Sequence, residues 1–177
     1  MALKQISVFL ENKSGRLAEV TKVIGDAGIN LLGMTIADTA DFGILRIIVA
    51  DYEKTMKVLS ENRFTAKMTD VLAIEVSDTP GGLSHIMEVF CKNNINIEYL
   101  YFTIDRRSGK HLVILKTEDP NQALAMIASN GLTALSSLEY RRPPSEAATV
   151  RVCVPTQKEF VCAFGQTAAS LLPIHLH

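Results

Sequence analysis

The chain contains an internal repeat, and this constrains its fold more than any other feature. VFLENKSGRLAEVTKVIGDAGINLLGMTI (8–36) aligns without a gap, at one fixed offset, with IEVSDTPGGLSHIMEVFCKNNINIEYLYF (74–102). The matches are glycines, apolar positions and one recurrent asparagine: Asn12 with Asp78, Gly15 with Gly81, Leu17 with Leu83, Val23 with Val89, Ile29–Asn30 with Ile95–Asn96, and Gly43 with Gly109. Duplication of one structural unit leaves this kind of pattern, so we expect two similar halves.

Each copy begins with a strand followed by a helix. Ile6, Val8 and Leu10 alternate along LKQISVFL, which predicts a half-buried strand. Apolar residues then recur at helical spacing in both copies: Leu17, Val20, Val23, Ile24 and Ala27 in the first, and Leu83, Ile86, Met87 and Phe90 in the second. Gly28 and Asn94 are expected to end these helices, because both residue types tolerate a left-handed backbone.

Two strands, a second helix and a last strand complete each copy. The strands are NLLGMTIAD with GILRIIVAD, and NIEYLYFTID with KHLVILKTE, which RRSG (106–109) joins as a hairpin turn. The second helices are YEKTMKVLSEN and DPNQALAMIASNG, where Asp119 is the expected N-cap and Pro120 the first helical residue. FTAKMTD and LTALSSLEY are the expected last strands. The order β-α-β-β-α-β, found twice, predicts an α+β chain of two tandem ferredoxin-like units, with antiparallel sheets and helices on one face.

This organisation predicts two units and a tail. The units are residues 1–70 and 71–139, and residues 140–177 form a tail that starts with the linker-like RRPPSEAAT. Because each unit leaves one sheet face and its edge strands uncovered, we expect side-by-side packing of the two sheets and a homodimer. The tail is an extra packing element, a partner-binding segment or an ill-structured extension, and the sequence leaves these three open.

Composition disfavours several classes of function. With 18 basic and 19 acidic residues among 177, the chain has no electrostatic footprint for nucleic acid or an anionic membrane. The chain has three cysteines and no CxxC pair, so we expect no disulfide framework. Its four histidines lack the spacing of metal ligands, so we expect no metal site. No signal peptide or apolar run of roughly 18 residues is present, so we expect a cytoplasmic protein. Ser84 and His85 are adjacent on a helix and form no triad, and we expect neither a cofactor nor catalysis.

The turn SDTPGGLSHI, between strand and helix, is the strongest candidate for a binding site. Asp78 or Thr79 is expected to cap the helix, Pro80 fixes the approach, and Gly81-Gly82 permits backbone angles that a side chain forbids. The first-turn amides and the helix dipole would attract a small carboxylate.

An asparagine recurs at the start of the next strand in both copies, as Asn30 and Asn96, and we expect it near the same end of the unit as the turn. Two plainer interpretations stay open: that the turn is a tight connection without a ligand, and that the asparagines only cap the backbone locally.

These residues resemble the ACT domain family closely. The shared pattern is an apolar strand, N/D-x-x-G-x-L, an amphipathic helix, and GIN or NIN before the next strand, here ENKSGRLAEV…AGINL and SDTPGGLSHI…NNINI. The resemblance covers about residues 1–139 and implies a ferredoxin-like fold that binds amino acids at interfaces between units. It implies ligand contacts from Asn12, Ser14, Gly15, Arg16, Leu17, Asn30 and Leu31, and from Asp78, Pro80, Gly81, Gly82, Leu83, Asn96 and Ile97. The first copy has Lys13-Ser14 where the fuller pattern has Thr-Pro, so its site is the less complete of the two.

Three hypotheses for the function follow. The first is a non-catalytic regulatory protein that binds a small amino acid and signals to an enzyme of amino-acid metabolism. The second is a dedicated regulatory subunit, similar to the small subunit of acetolactate synthase. The third, a small enzyme on this scaffold, is the weakest because no acid-base pair stands out. An RNA-recognition module shares the strand order, but Tyr99 and Tyr101 are better interpreted as covering a sheet interface.

Overall fold

A computed structural model of the protein describes residues 2–38, 42–104 and 111–141. The predicted RRSG turn with Gly109 lies outside the described residues, as does the tail from residue 142 onward. The described residues therefore comprise the two copies of the repeat, apart from residues 39–41 and 105–110.

The elements follow the predicted order. The first copy comprises β1 (Leu3–Glu11), α1 (Arg16–Asp26), β2 (Leu31–Asp38), β3 (Phe42–Val49) and α2 (Tyr52–Glu61), after which β4 (Thr65–Val76) leads into the second. The second copy continues with α3 (Gly82–Lys92), β5 (Ile97–Ile104), β6 (His111–Thr117), α4 (Pro120–Ser129), β7 (Ala134–Leu135) and α5 (Ser137–Arg141). The tandem β-α-β-β-α-β fold is confirmed.

Strand β4 belongs to both copies. Residues 65–71 pair antiparallel with residues 3–9 of β1, whereas residues 72–76 pair with β6, and Ala73 and Ile74 also pair with β7. The strands therefore follow one path, β2-β3-β1-β4-β6-β5, with β7 beside β4. The boundary predicted between residues 70 and 71 lies inside this strand, so the chain passes from one copy to the next without a linker.

Each copy has its own core between its sheet and its helices. In the first, the alternating residues Ile6, Val8 and Leu10 are buried against Val20 and Ile24 of α1. The equivalent core of the second copy contains Ile74 and Val76 of β4, Ile86 and Phe90 of α3, and Ile127 of α4. The helices end as predicted, with Gly28 and Asn94 at φ of 68° and 52°. Asp119 caps α4 by accepting hydrogen bonds from the amides of Asn121 and Gln122.

The two sheets join side by side through β4, as expected, and their helix-free faces also contact each other. Gln5 Nε2 on β1 donates to Tyr99 OH on β5 at 2.9 Å, and Tyr101 OH donates to Gln5 Oε1 at 3.0 Å. Two strands separate β1 from β5 in the path, a distance of roughly 14 Å in a flat sheet. The sheet must therefore curl for these side chains to meet, and Leu3, Ile48 and Leu112 join the buried contact.

The two tyrosines serve this contact, as the sequence suggested. The guanidinium carbon of Arg46 lies 4.0 Å from the centre of the Tyr99 ring. Burial, with smaller contributions from Tyr140 and Tyr99, raises the pKa of Tyr101 well above its usual range, so its hydroxyl stays a neutral donor. Both tyrosine hydroxyl groups form hydrogen bonds at the interface between the sheets.

The end of the second copy differs from the prediction. LTALSSLEY was expected to be a strand, but pairing stops after Leu135 and the helix α5 follows. Ser136 and Glu139 form a capping box: the Ser136 amide donates to Glu139 Oε2 at 2.9 Å, and the Glu139 amide donates to Ser136 Oγ at 3.3 Å. This local pairing starts a helix where the repeated element order predicted a last strand.

Candidate functional site

The turn between β4 and α3 needs its two glycines for different reasons. Gly81 is the N-cap of α3 and has a left-handed φ of 88°, which side chains rarely adopt. Gly82 lies against the end of β4, where a Cβ atom would be 2.4 Å from the carbonyl oxygen of Ser77. Conformation therefore selects the first glycine, and lack of space selects the second.

The start of α3 leaves two amides available. No side chain caps this helix, so the expectation that Asp78 or Thr79 would do so is wrong. The Gly82 amide donates to the carbonyl of Thr79 at 3.0 Å, while helix geometry leaves the Leu83 and Ser84 amides without an intrahelical acceptor. Asp78 instead lies near His111, with 3.6 Å between Oδ2 and Nε2. Two parallel amide donors at a positive helix end suit a small carboxylate.

The first copy forms the same turn with a different residue at its second position. Gly15 is the N-cap at φ 89°, and Arg16 stands where the second copy has Gly82. The Arg16 guanidinium pairs with Glu19 and lies 5.1 Å from the centre of the Phe64 ring. The amides of the next two residues are again without an intrahelical acceptor, and Asn12, Ser14 and Leu17 are exposed around them. This turn offers the same backbone donors beside a fixed positive charge.

The recurrent asparagines lie at the other end of each unit, contrary to expectation. Asn30 and Asn96 are exposed and directly precede β2 and β5, whose first residues, Leu31 and Ile97, are half-buried. An 11-residue helix separates each turn from the asparagine that follows it. At 1.5 Å per residue, that helix spans about 16 Å, far more than a small amino acid can bridge. The turn and the asparagine of one unit therefore cannot hold the same small ligand.

A cleft of about 610 Å³ adjoins Asn96 where α3 ends and α4 begins. Its lining is mostly polar: Cys91, Asn94, Ile95, Asn96, Glu118, Asp119 and Gln122. Among these residues the sequence predicted a ligand contact only for Asn96, and local structural roles for Asn94 and the cap Asp119. The signal that could have found the cleft is the pair of asparagines after α3, together with two acidic residues before α4.

The described residues offer little for other chemistry. Within 2–38, 42–104 and 111–141, no group of three or more His, Cys, Asp or Glu side chains could hold a metal ion. No helix in these ranges is long and apolar enough to cross a membrane. His85 on the first turn of α3 and Cys91 near its end are both exposed.

Comparison with known proteins agrees with the observed fold. A family model described as an ACT domain pair matches residues 1–140. Among solved structures, protein BT0572 from Bacteroides thetaiotaomicron is 35% identical, with a TM-score of 0.74 over 81% of this chain and 98% of that one.

More distant structures share the fold. The regulatory subunit of aspartate kinase from Thermus flavus is 18% identical, with a TM-score of 0.50 over 73% of this chain and 92% of that one. Its counterpart from Thermus thermophilus, in a ligand-free form, is 14% identical, with a TM-score of 0.53 over 72% of this chain and 91% of that one. A search of curated protein sequences found no significant match.

Proposed function

The chain belongs to the ACT-domain family, as an ACT domain pair over residues 1–140, and on this premise we propose that it is a non-catalytic regulatory protein that binds a small amino acid. The observation that carries the proposal is the turn before α3, whose glycines leave two helix amides uncapped. We further propose that it works in the cytoplasm and signals to an enzyme of amino-acid metabolism.

In the proposed binding mode, the ligand carboxylate accepts hydrogen bonds from the amides of Leu83 and Ser84. The equivalent amides of the first copy, those of Leu17 and Ala18, form a second and more crowded position beside Arg16. The remaining candidates named from the sequence surround these amides: Asn12, Ser14, Gly15, Asp78, Pro80, Gly81 and Gly82. A helix N-terminus favours a carboxylate by typically 0.3–1 kcal/mol at an exposed site, so further contacts must supply most of the affinity.

The ligand's amino group needs a partner from a different unit. Asn96 with Ile97, and Asn30 with Leu31, lie about 16 Å from the turn of their own unit. We therefore propose that a second copy of the chain brings its asparagine to the turn, forming a homodimer with the ligand at the interface. The sheet edges favour this arrangement, because Met34 and Ile36 on β2 and Phe102 on β5 are 44%, 49% and 51% exposed.

Regulation follows if the ligand distinguishes two arrangements of the units. A ligand that spans an interface binds only the arrangement that closes it, and its binding energy shifts the equilibrium towards that state. A partner enzyme that contacts one arrangement then responds to the amino acid concentration.

A second candidate function is a permanent regulatory subunit of such an enzyme, as in acetolactate synthase. Exposed apolar side chains favour it, since Phe42 at the start of β3 is 59% exposed and Leu138 on α5 is 71% exposed. Purification of the full chain from its native cell distinguishes the two. A stable complex with an enzyme in the absence of amino acid supports this second candidate.

Screening the twenty amino acids against the full chain by thermal shift tests the leading proposal. A ligand present at 100 times its Kd is expected to stabilise the fold by about 2.7 kcal/mol. Failure of every amino acid to raise the melting temperature contradicts the proposal.

Variants then locate the site. Gly81→Ala distorts the turn and is expected to abolish the shift, as is Asn96→Ala. Gly131→Ala is the matched control, because Gly131 also has a positive φ, 69°, with open space around its Cβ position, but lies after α4. A shift that survives both Gly81→Ala and Asn96→Ala places the ligand elsewhere.

A further inference from the structure

The cleft beside Asn96 occupies a position that the first copy fills with its own lysine. The second helix of each copy starts from an aspartate N-cap, Asp51 for α2 and Asp119 for α4. Three residues later, Lys54 and Gln122 donate their amides to that aspartate at 2.9 Å and 3.2 Å. Lys54 and Gln122 are therefore structural equivalents, although the repeat is no longer in its original register here.

In the first copy, the lysine side chain connects the start of α2 to the end of α1. Lys54 Nζ donates a hydrogen bond of 2.7 Å to the carbonyl oxygen of Ala27, the C-cap residue of α1. A helix C-terminus carries partial negative charge and unpaired carbonyl groups, so an ammonium group is a favourable partner there.

The second copy has the same carbonyl but lacks the ammonium group. The C-cap residue of α3 is Asn93, flanked by Cys91 and Asn94 of the cleft lining. The equivalent of Lys54 is the neutral Gln122, and Glu118 stands before the N-cap where the first copy has Ala50. Compared with the first copy, the second therefore lacks the positive charge of Lys54 and has the additional negative charge of Glu118.

Lys92 and Lys116, the lysines nearest in the chain, form their ion pairs with acids outside the cleft lining. Lys92 Nζ lies 3.8 Å from Glu88, and Lys116 Nζ lies 3.4 Å from Glu98. Among the residues that the structure describes, Glu118 has no ion-pair partner. Asp119 is already engaged as the helix cap by two amides. The cleft thus combines an unpaired carboxylate with a helix C-terminus.

We propose that this cleft binds the primary ammonium group of a small aliphatic amine, in the position that Lys54 Nζ occupies in the first copy. The Glu118 carboxylate and the Asn93 carbonyl accept its hydrogen bonds, and the side-chain amides of Asn94 and Gln122 line the path of the aliphatic chain. A volume of about 610 Å³ is within the range of small-molecule sites. The inference shares Asn96 with the proposed amino acid site but does not depend on a carboxylate at Gly81, at the other end of α3.

A titration of the full chain followed by amide NMR tests this inference. The probe is 1,4-diaminobutane, and 1,4-butanediol is the uncharged control of the same length. The amine is expected to shift resonances of residues 91–96 and 118–122 in a saturable manner, and the diol is not. Equal shifts with the diol overturn the inference, as does the absence of any saturable shift in these two segments.

Two substitutions test the roles of individual residues. Glu118→Gln removes the charge of an exposed carboxylate and is expected to weaken amine binding by up to about fivefold, since an exposed ion pair contributes roughly 0.2–1 kcal/mol. Glu53→Gln, an exposed acid in the first turn of α2, is the matched control and should leave affinity unchanged. Gln122→Lys supplies the lysine of the first copy and is expected to abolish binding. A Gln122→Lys variant with wild-type affinity contradicts the inference.

The same titration separates this inference from the proposed function. Gly81→Ala is expected to remove amino acid binding and leave the amine titration unchanged. Weaker amine binding in Glu118→Gln with an intact amino acid response shows two sites. Because Asn96 belongs to both, an amino acid that displaces 1,4-diaminobutane from residues 118–122 contradicts their separation.

Discussion

The two turns before α1 and α3 have the same backbone but different neighbours. Gly15 and Gly81 have φ of 89° and 88°, and both start an 11-residue helix that no side chain caps. The following residue is Arg16 in one copy and Gly82 in the other. In the second copy a Cβ atom would be 2.4 Å from the Ser77 carbonyl, whereas the first copy accommodates a whole arginine side chain.

This difference separates two roles that look alike in a sequence. A glycine required by its own φ must recur wherever the turn recurs, because no neighbour can relieve the strain. A glycine required by a close contact recurs only where the neighbour is equally near. The recurrent Gly15 and Gly81 belong to the first kind, and Gly82 belongs to the second.

The largest expected effect is that of Gly82→Ala. The added methyl group must displace backbone of β4, and overpacking of this kind costs up to about 3 kcal/mol of unfolding free energy. Urea denaturation followed by circular dichroism measures the loss. The matched change in the first copy, Arg16→Ala, removes a half-buried cation–π contact with Phe64 and is expected to cost about 1 kcal/mol. Equal losses for the two variants contradict the distinction between the turns.

The second prediction concerns the contact between the helix-free faces. Gln5 corresponds to Val71 in the repeat, so Gln5→Val gives the first copy the residue of the second. Gln5 is fully buried, and the change leaves Tyr101 OH without its acceptor, at an expected cost of about 2 kcal/mol.

The double variant Gln5→Val with Tyr101→Phe removes both partners and is expected to recover part of that stability. Additive losses in this cycle would mean that the hydrogen bond does not couple the two sheets.

Much of the fold follows from local sequence. Alternation in β1, helical spacing in α3 and the residues Gly28, Asn94 and Asp119 each act through their immediate neighbours, and each has the predicted role. The curl of the sheet does not follow, because it depends on which apolar faces meet. The Ser136–Glu139 capping box is a local signal in SSLE that the prediction of a last strand did not use.

The candidate site was predictable only in part. The turns were identified because Gly81 and the uncapped helix start are local features. Placing Asn96 at the same end was wrong, since the length of α3 alone separates the two by about 16 Å. The cleft lies where Gln122 stands in place of the lysine of the first copy. Lys54 and Gln122 are recognised as equivalent residues only when the caps Asp51 and Asp119 are aligned.

The third prediction tests the shared part of the turns. Gly15→Ala and Gly81→Ala each force a side chain into the left-handed region, at a cost of roughly 1–2 kcal/mol. The space around both Cβ positions is open, so the two losses are expected to agree within about 0.5 kcal/mol in urea denaturation. A clearly larger loss at one position would mean that its neighbours, not its φ, select the glycine.

The smallest expected effect is at the caps of the second helices, where the copies are most alike. Asp51→Ala and Asp119→Ala each leave amides of the first turn without an acceptor, and loss of an N-cap typically costs about 1 kcal/mol. Two differences between the caps oppose each other. Asp119 accepts from two amides, which raises the cost of losing it, whereas the fixed φ of Pro120 already favours the helical start and lowers that cost. Similar losses in urea denaturation are therefore expected, and Asp→Asn at either position should recover most of the stability, because asparagine also accepts from these amides. Failure of asparagine to do so would show that the charge of the cap, and not its hydrogen bond, stabilises the helix.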